Sequence, residues 1–201
     1  ETDRQQMTDL LELARRNQRR AREVIRMCGV VAAWESVGAE IHPVGSLPTG
    51  LLMTHRDIDF HIYTPRIDPA DDFRAMGRLA ACPAVRRVAY ANLLDTPETC
   101  LEWHAWVEDA DRELWQLDMI HIALGSRYDG YFERVAGRIA EVLTDDTRLT
   151  ILRLKYETPP DEKIMGIEYY QAVLRDGVRT YAEFAAWRER HPVAGVIEWM
   201  P

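Results

Sequence analysis

The sequence predicts an α+β fold: strands gathered between residues 40 and 124, helices on both sides of them, and a helical C-terminal part. Three observations carry that expectation. Residues 57–63 alternate and are rich in the branched and aromatic residues that suit a pleated sheet, and 101–108 and 113–124 read as two further strands around a turn. Leu10, Leu13, Ala14, Ala21, Val24, Ile25 and Met27 recur instead at helical spacing. From Tyr131 onward helical patterning returns, punctuated by Pro159-Pro160 and Asp176-Gly177.

Taken in order, residues 7 to about 37 read as helix, with Gly29 as a point of interruption and Gly38 as the stop. Residues 41–44 form a short strand that ends at Gly45-Ser46. Residues 47–56 contain Pro48 and Gly50 and read as a turn with a short helix. Residues 57–63 are a strand. A helix follows over 68–81, with Asp68 as N-cap and Pro69 at its first position. Residues 84–92 are a further strand. Two more, 101–108 and 113–124, are joined by a turn at 109–112. Helices are expected near 131–143, 146–156, 162–175 and 180–190. The organisation is then an N-terminal helix (1–29), a core (30–126) and a C-terminal helical region (127–201).

The chain has 201 residues, enough to bury a core of its own. It holds no apolar run of the ~18 residues that a membrane span needs, so no membrane association is expected. Glu1 to Gln6 are polar and do not read as a signal peptide. Cys28, Cys82 and Cys100 form no paired metal-binding motif; they read as small buried apolar groups in a reducing cytoplasm. The net charge of −8 disfavours a generic nucleic-acid binder, because affinity for phosphate backbones comes from clustered Lys and Arg. The run Arg15, Arg16, Arg19, Arg20, Arg22 and Arg26 reads as the solvated face of the first helix, and Lys155 and Lys163 are the only lysines.

The chemistry gathers around three acids. On a strand, Asp57 and Asp59 point to one face while Ile58 and Phe60 point to the other. Two carboxylates so spaced can each reach a pair of metal ions held roughly 3.5–4 Å apart, as in two-metal phosphoryl transfer. Alone, such a pair is also common on exposed strands and in sugar-nucleotide glycosyltransferases. Two features sharpen it. Gly45-Ser46 lets backbone approach a phosphate and offers N–H and hydroxyl donors. Asp118 interrupts an apolar strand, where a carboxylate is costly unless a metal or a charge offsets it. Should that strand lie beside residues 57–63, Asp118 would stand about 4.8 Å across from them.

Gly45-Ser46, then Asp57-Ile58-Asp59-Phe60, then an apolar strand carrying Asp118, resembles the signature of the DNA polymerase beta-like nucleotidyltransferases. The segment Val44-Gly45-Ser46-Leu47-Pro48-Thr49-Gly50-Leu51 is similar to the glycine-serine loop of that superfamily. The resemblance covers roughly residues 30–124. Arg56 departs from it, since many members carry Ser before the first acid. What the resemblance implies is a small mixed β-sheet flanked by helices, Mg²⁺ as cofactor (two ions), and an NTP as donor. Asp57, Asp59 and Asp118 would be both the metal ligands and the catalytic carboxylates, and Gly45 and Ser46 would hold the triphosphate. Arg56, with His55, and Lys155 are expected phosphate contacts. His61, Glu102, His104 and one of Tyr156, Tyr169 or Tyr170 are secondary candidates near the site.

For the acceptor, small size and acidity favour a hydroxyl on a small molecule, as in antibiotic-modifying enzymes, or on a protein, with nucleic acid unlikely. Two rival readings stand beside this one. The first is a catalytically inactive nucleotide-binding or interaction module of the same fold, for example a toxin–antitoxin partner; clustered idle acids would repel and weigh against it. The second is a metal-dependent glycosyltransferase, which the Gly45-Ser46 loop disfavours.

Overall fold

The computed structural model describes residues 2–201. Gly29 takes the left-handed φ of 70° that most side chains avoid; it ends α1 (Thr2–Cys28), and α2 (Val30–Glu35) begins after it. There follow β1 (Glu40–Val44), the single turn α3 (Ser46–Thr49), β2 (Asp57–Tyr63), α4 (Pro69–Ala80), β3 (Val85–Leu93), β4 (Cys100–Glu108) and β5 (Leu114–Ile122). The helices α5 (Tyr131–Val142), α6 (Asp145–Glu157), α7 (Gly166–Tyr170) and α8 (Tyr181–Arg190) complete the order. Asp68 caps α4 as its sequence suggests, its side chain accepting from the Ala70 N–H at 2.9 Å. The helix expected over 162–175 starts later, at Gly166. There the Glu168 carboxylate accepts from the Met165 N–H and fixes the first turn; the helix then continues as a π-helix over Gln171–Arg175.

Among the described residues, five strands make one mixed sheet in the order β1-β2-β5-β4-β3. The pair β2/β5 is parallel and the others antiparallel. Pro43 is tolerated because β1 is an edge strand. None of the described helices is long and apolar enough to cross a membrane.

The chain divides into two units. One comprises Arg19–Leu47 and Arg56–Glu133 and contains the sheet. In it burial alternates along most of β4 and β5 and through the first half of β2. Ile58, Phe60 and Ile62 of β2, Leu101, Trp103, Ala105 and Val107 of β4, and Trp115, Leu117 and Met119 of β5 are all buried. Helices α2 and α4 cover that face: Trp34 donates to Met119 Sδ, and Trp103 donates through Nε1 to Asp72 at 2.9 Å. Asp72 and His121 are fully buried and bonded to each other, and His121 also bonds Thr64 at 2.7 Å.

The other unit comprises the chain up to Gln18, Pro48–His55 and Arg134–Pro201. Leu51, Leu52 and Met53 are buried there without belonging to helix or strand, so their backbone must find other partners. Side chains supply them. Arg148 donates to the carbonyls of Thr49 (2.6 Å) and Gly50 (3.3 Å). Gln18 donates to those of Gly50 and Leu52, Lys155 to Leu51 (2.9 Å) and Asn17 to Met53 (2.7 Å). Five consecutive carbonyls are thus held by four side chains.

Candidate active site

The face of the sheet opposite α2 and α4 carries the half-exposed positions of β2, β5 and β4. Paired residues of neighbouring strands point to the same side, so the registers assemble three rows. The first is Asp57, Gln116, Trp106 and Arg87; the second is Asp59, Asp118, His104 and Ala89; the third is His61, Ile120, Glu102 and Ala91. Asp59 and Asp118 are direct register partners, about one strand spacing of 4.8 Å apart. The three acids expected from sequence therefore share one face and adjoining positions.

Asp118 is tied down by its neighbours. Gln116 Nε2 donates to its Oδ1 at 2.7 Å, and His104 Nδ1 bonds the same oxygen. His104 Nε2 reaches Glu102 Oε1 at 3.0 Å. The hydrogen bond with Asp118, aided by Glu102, pushes the imidazole up to about 9, so at neutral pH the ring is a cation donating on both sides. His61 shares the face but is buried edge-on against Phe132, and burial pushes it down to about 4; it stays neutral.

Gly45 ends β1 with φ of 72° and faces Asp59. A β-carbon there would collide with the Asp59 carboxylate, falling 3.1 Å from its carboxyl carbon. The glycine is thus required twice, by its backbone angle and by the acid beside it. Gly45→Ala should destabilise the chain by about 1–3 kcal/mol and displace Asp59. Thermal unfolding checks the first effect, and loss of a Mg²⁺–NTP-dependent rise in Tm checks the second. An unchanged Tm would show that the turn tolerates a side chain.

The other expected contacts have protein partners of their own. Arg56 Nε donates to the Leu114 carbonyl at 3.1 Å and Nη1 lies 3.6 Å from Glu113, so its guanidinium braces the start of β5. Lys155 belongs to the unit that lacks the sheet, where it holds Leu51 O and lies 3.5 Å from the Tyr170 hydroxyl. Tyr169 stacks on Phe184 at 4.7 Å within that unit's core, whereas Tyr156 is exposed. Gln116 was not anticipated, although its position two residues before Asp118 puts it on the same strand face.

The donor set suits Mg²⁺. It consists of hard carboxylate oxygens on a half-open face, and this ion needs few protein ligands because it keeps several waters. Among the described residues no three His, Cys, Asp or Glu side chains are already gathered into a chelate.

No protein-family model matches the chain, and no curated protein matches its sequence. Solved structures match its fold. Cid1 poly(U) polymerase with MgGTP bound aligns with a TM-score of 0.61 at 12% identity, over 85% of this chain and 55% of that one. Cid1 in complex with its short product ApU aligns with a TM-score of 0.58 at 11% identity, over 84% and 53%. The non-canonical poly(A) polymerase complex GLD-2–GLD-3 aligns with a TM-score of 0.50 at 10% identity, over 91% and 63%. The chain spans between half and two thirds of the length of these structures.

Proposed function

We propose that this chain, which has the polymerase beta-like nucleotidyltransferase fold, transfers an NMP from an NTP to a hydroxyl acceptor. The observation that carries the reading is the second register row, in which Asp59 and Asp118 stand side by side with Asp57 two residues away on the same face. Asp57, Asp59 and Asp118 would hold Mg²⁺, which when bound neutralises charge on the triphosphate and the leaving pyrophosphate. Gly45 and Ser46 would seat the triphosphate. The His104–Gln116 clamp fixes the Asp118 carboxylate, so that little reorganisation is needed when charge develops nearby.

For the acceptor we favour the 3′-hydroxyl of a single-stranded RNA. The polymerases that share the fold support it, and none of the similar structures points to the small-molecule or protein hydroxyl expected from size and net charge. That second reading keeps one observation in its favour, the charge of −8.

Six tryptophans make thermal unfolding by fluorescence the direct test, with Mg²⁺ and each NTP in turn, parent beside Asp57→Asn. At 100 times its dissociation constant a ligand specific to the folded state adds about 2.7 kcal/mol, a rise on the order of 5–10 °C for a chain of this size. A Mg²⁺-dependent rise with an NTP, lost in Asp57→Asn, is the expected result. No rise with any NTP would put the inactive interaction module first.

A further inference from the structure

Side chains of consecutive strand residues point to opposite faces, yet Arg86 and Arg87 of β3 both serve the open one. The reason is a β-bulge. The register with β4 runs from Val85–Val107 directly to Arg87–Trp106, leaving Arg86 as an extra residue. Arg87 then occupies the row of Asp57, Gln116 and Trp106, and its guanidinium carbon lies over the Trp106 ring, 4.2 Å from the centroid. Arg86 Nη2 reaches Glu108, which alternates onto the same face, at 3.4 Å, and Arg112 approaches the same carboxylate at 3.8 Å. Arg86 and Arg112 thus converge on Glu108 while Arg87 lies over Trp106, which places three exposed guanidiniums at this end of β3 and β4. Beside them Ala89 and Ala91 pair with His104 and Glu102 and bring only methyl groups to that face.

We infer that Arg86, Arg87 and Trp106 form the subsite that receives the acceptor, and that the acceptor is a single-stranded RNA. The inference rests on the nucleotidyl-transfer reading of the acids in the same rows. Guanidiniums bind backbone phosphates, and a guanidinium lying over an indole brings together the cation and the aromatic surface that engage an unpaired base. The subsite begins on β4, which adjoins the Asp118 strand on the side away from Asp57 and Asp59. An acceptor end laid along β3 and β4 would bring its terminal hydroxyl toward Asp118, leaving the β2 side to the triphosphate.

The test is binding of a fluorescein-labelled oligoadenylate by anisotropy, in the parent and in the double variant R86A/R87A, with the Mg²⁺–NTP rise in Tm measured on both. Both arginines are exposed on an edge strand, so the variant should fold. The expected result is RNA binding by the parent, weakened at least about fivefold in the variant at low salt, with a salt dependence reduced by about one counterion per arginine. The NTP-induced rise in Tm should be unchanged. Equal RNA affinity in parent and variant would overturn the inference. So would a parent that shows the NTP response but binds no oligoadenylate, or binds a polyglutamate peptide equally well; nucleotidyl transfer would then stand without this subsite. Absence of the NTP response in the parent would remove both.

Discussion

Asp118→Asn should abolish nucleotidyl transfer while leaving nucleotide binding largely in place. Asp57 and Asp59 remain to hold the metal–triphosphate in this variant, so the Mg²⁺–NTP rise in Tm should persist, in contrast to Asp57→Asn. Turnover, followed as pyrophosphate release in the presence of an RNA acceptor, should fall by about 10³-fold or more, roughly 4 kcal/mol of transition-state stabilisation. The change should be tolerated structurally, because the Asp118 side chain is 20% exposed and the amide preserves an oxygen for Gln116. Turnover near that of the parent would remove Asp118 from the chemistry. Loss of nucleotide binding along with turnover would instead make it a ligand of the donor rather than a group acting on the acceptor side.

The second large effect concerns stability. Asp72→Ala should lower it by about 3–5 kcal/mol, a fall in Tm on the order of 10 °C. Asp72 is 1% exposed and accepts from Trp103 Nε1 at 2.9 Å and from His121 Nδ1 at 2.8 Å. On the other side of the ring Thr64 bonds His121 Nε2 and the Arg66 carbonyl, so the imidazole is held at both nitrogens. Removing the carboxylate strands two buried donors in the layer between α4 and the sheet. Asp72→Asn, which keeps an acceptor oxygen, should be milder. A loss below about 1 kcal/mol for the alanine variant would mean that water or a repacked neighbour replaces the carboxylate.

Much of this was legible in the sequence because alternation and charge coincide. An apolar strand broken by a single acid, and a second with acids two apart, fix which face each carboxylate occupies before any pairing is known. The pairing itself joins β2 to β5 across more than fifty residues, and no local signal encodes such a contact. The same holds for the bulge. In the sequence Arg86-Arg87 is two charges on opposite faces of a strand, and only the extra residue in the ladder unites them. The late start of α7 depends on one carboxylate–amide bond, and helical periodicity does not report it. Lys155 attracted notice by its rarity. Rarity carries no information about neighbours, and only the structure shows that this ammonium donates to the Leu51 carbonyl.

That carbonyl belongs to the segment whose five oxygens are held by side chains, and two of the four donors have a bearing on synthesis. Arg148 and Lys155 lie 99 and 104 residues beyond their partners Thr49 and Leu51. At about 5–20 residues per second, the ribosome delivers them roughly 5–20 s after the segment has left the exit tunnel. During that interval Leu51, Leu52 and Met53 are apolar residues on a nascent chain without the donors that allow them to be buried. The chain must therefore carry this stretch unfinished until α6 emerges, and a pause or truncation before residue 148 would leave it exposed to proteases and chaperones.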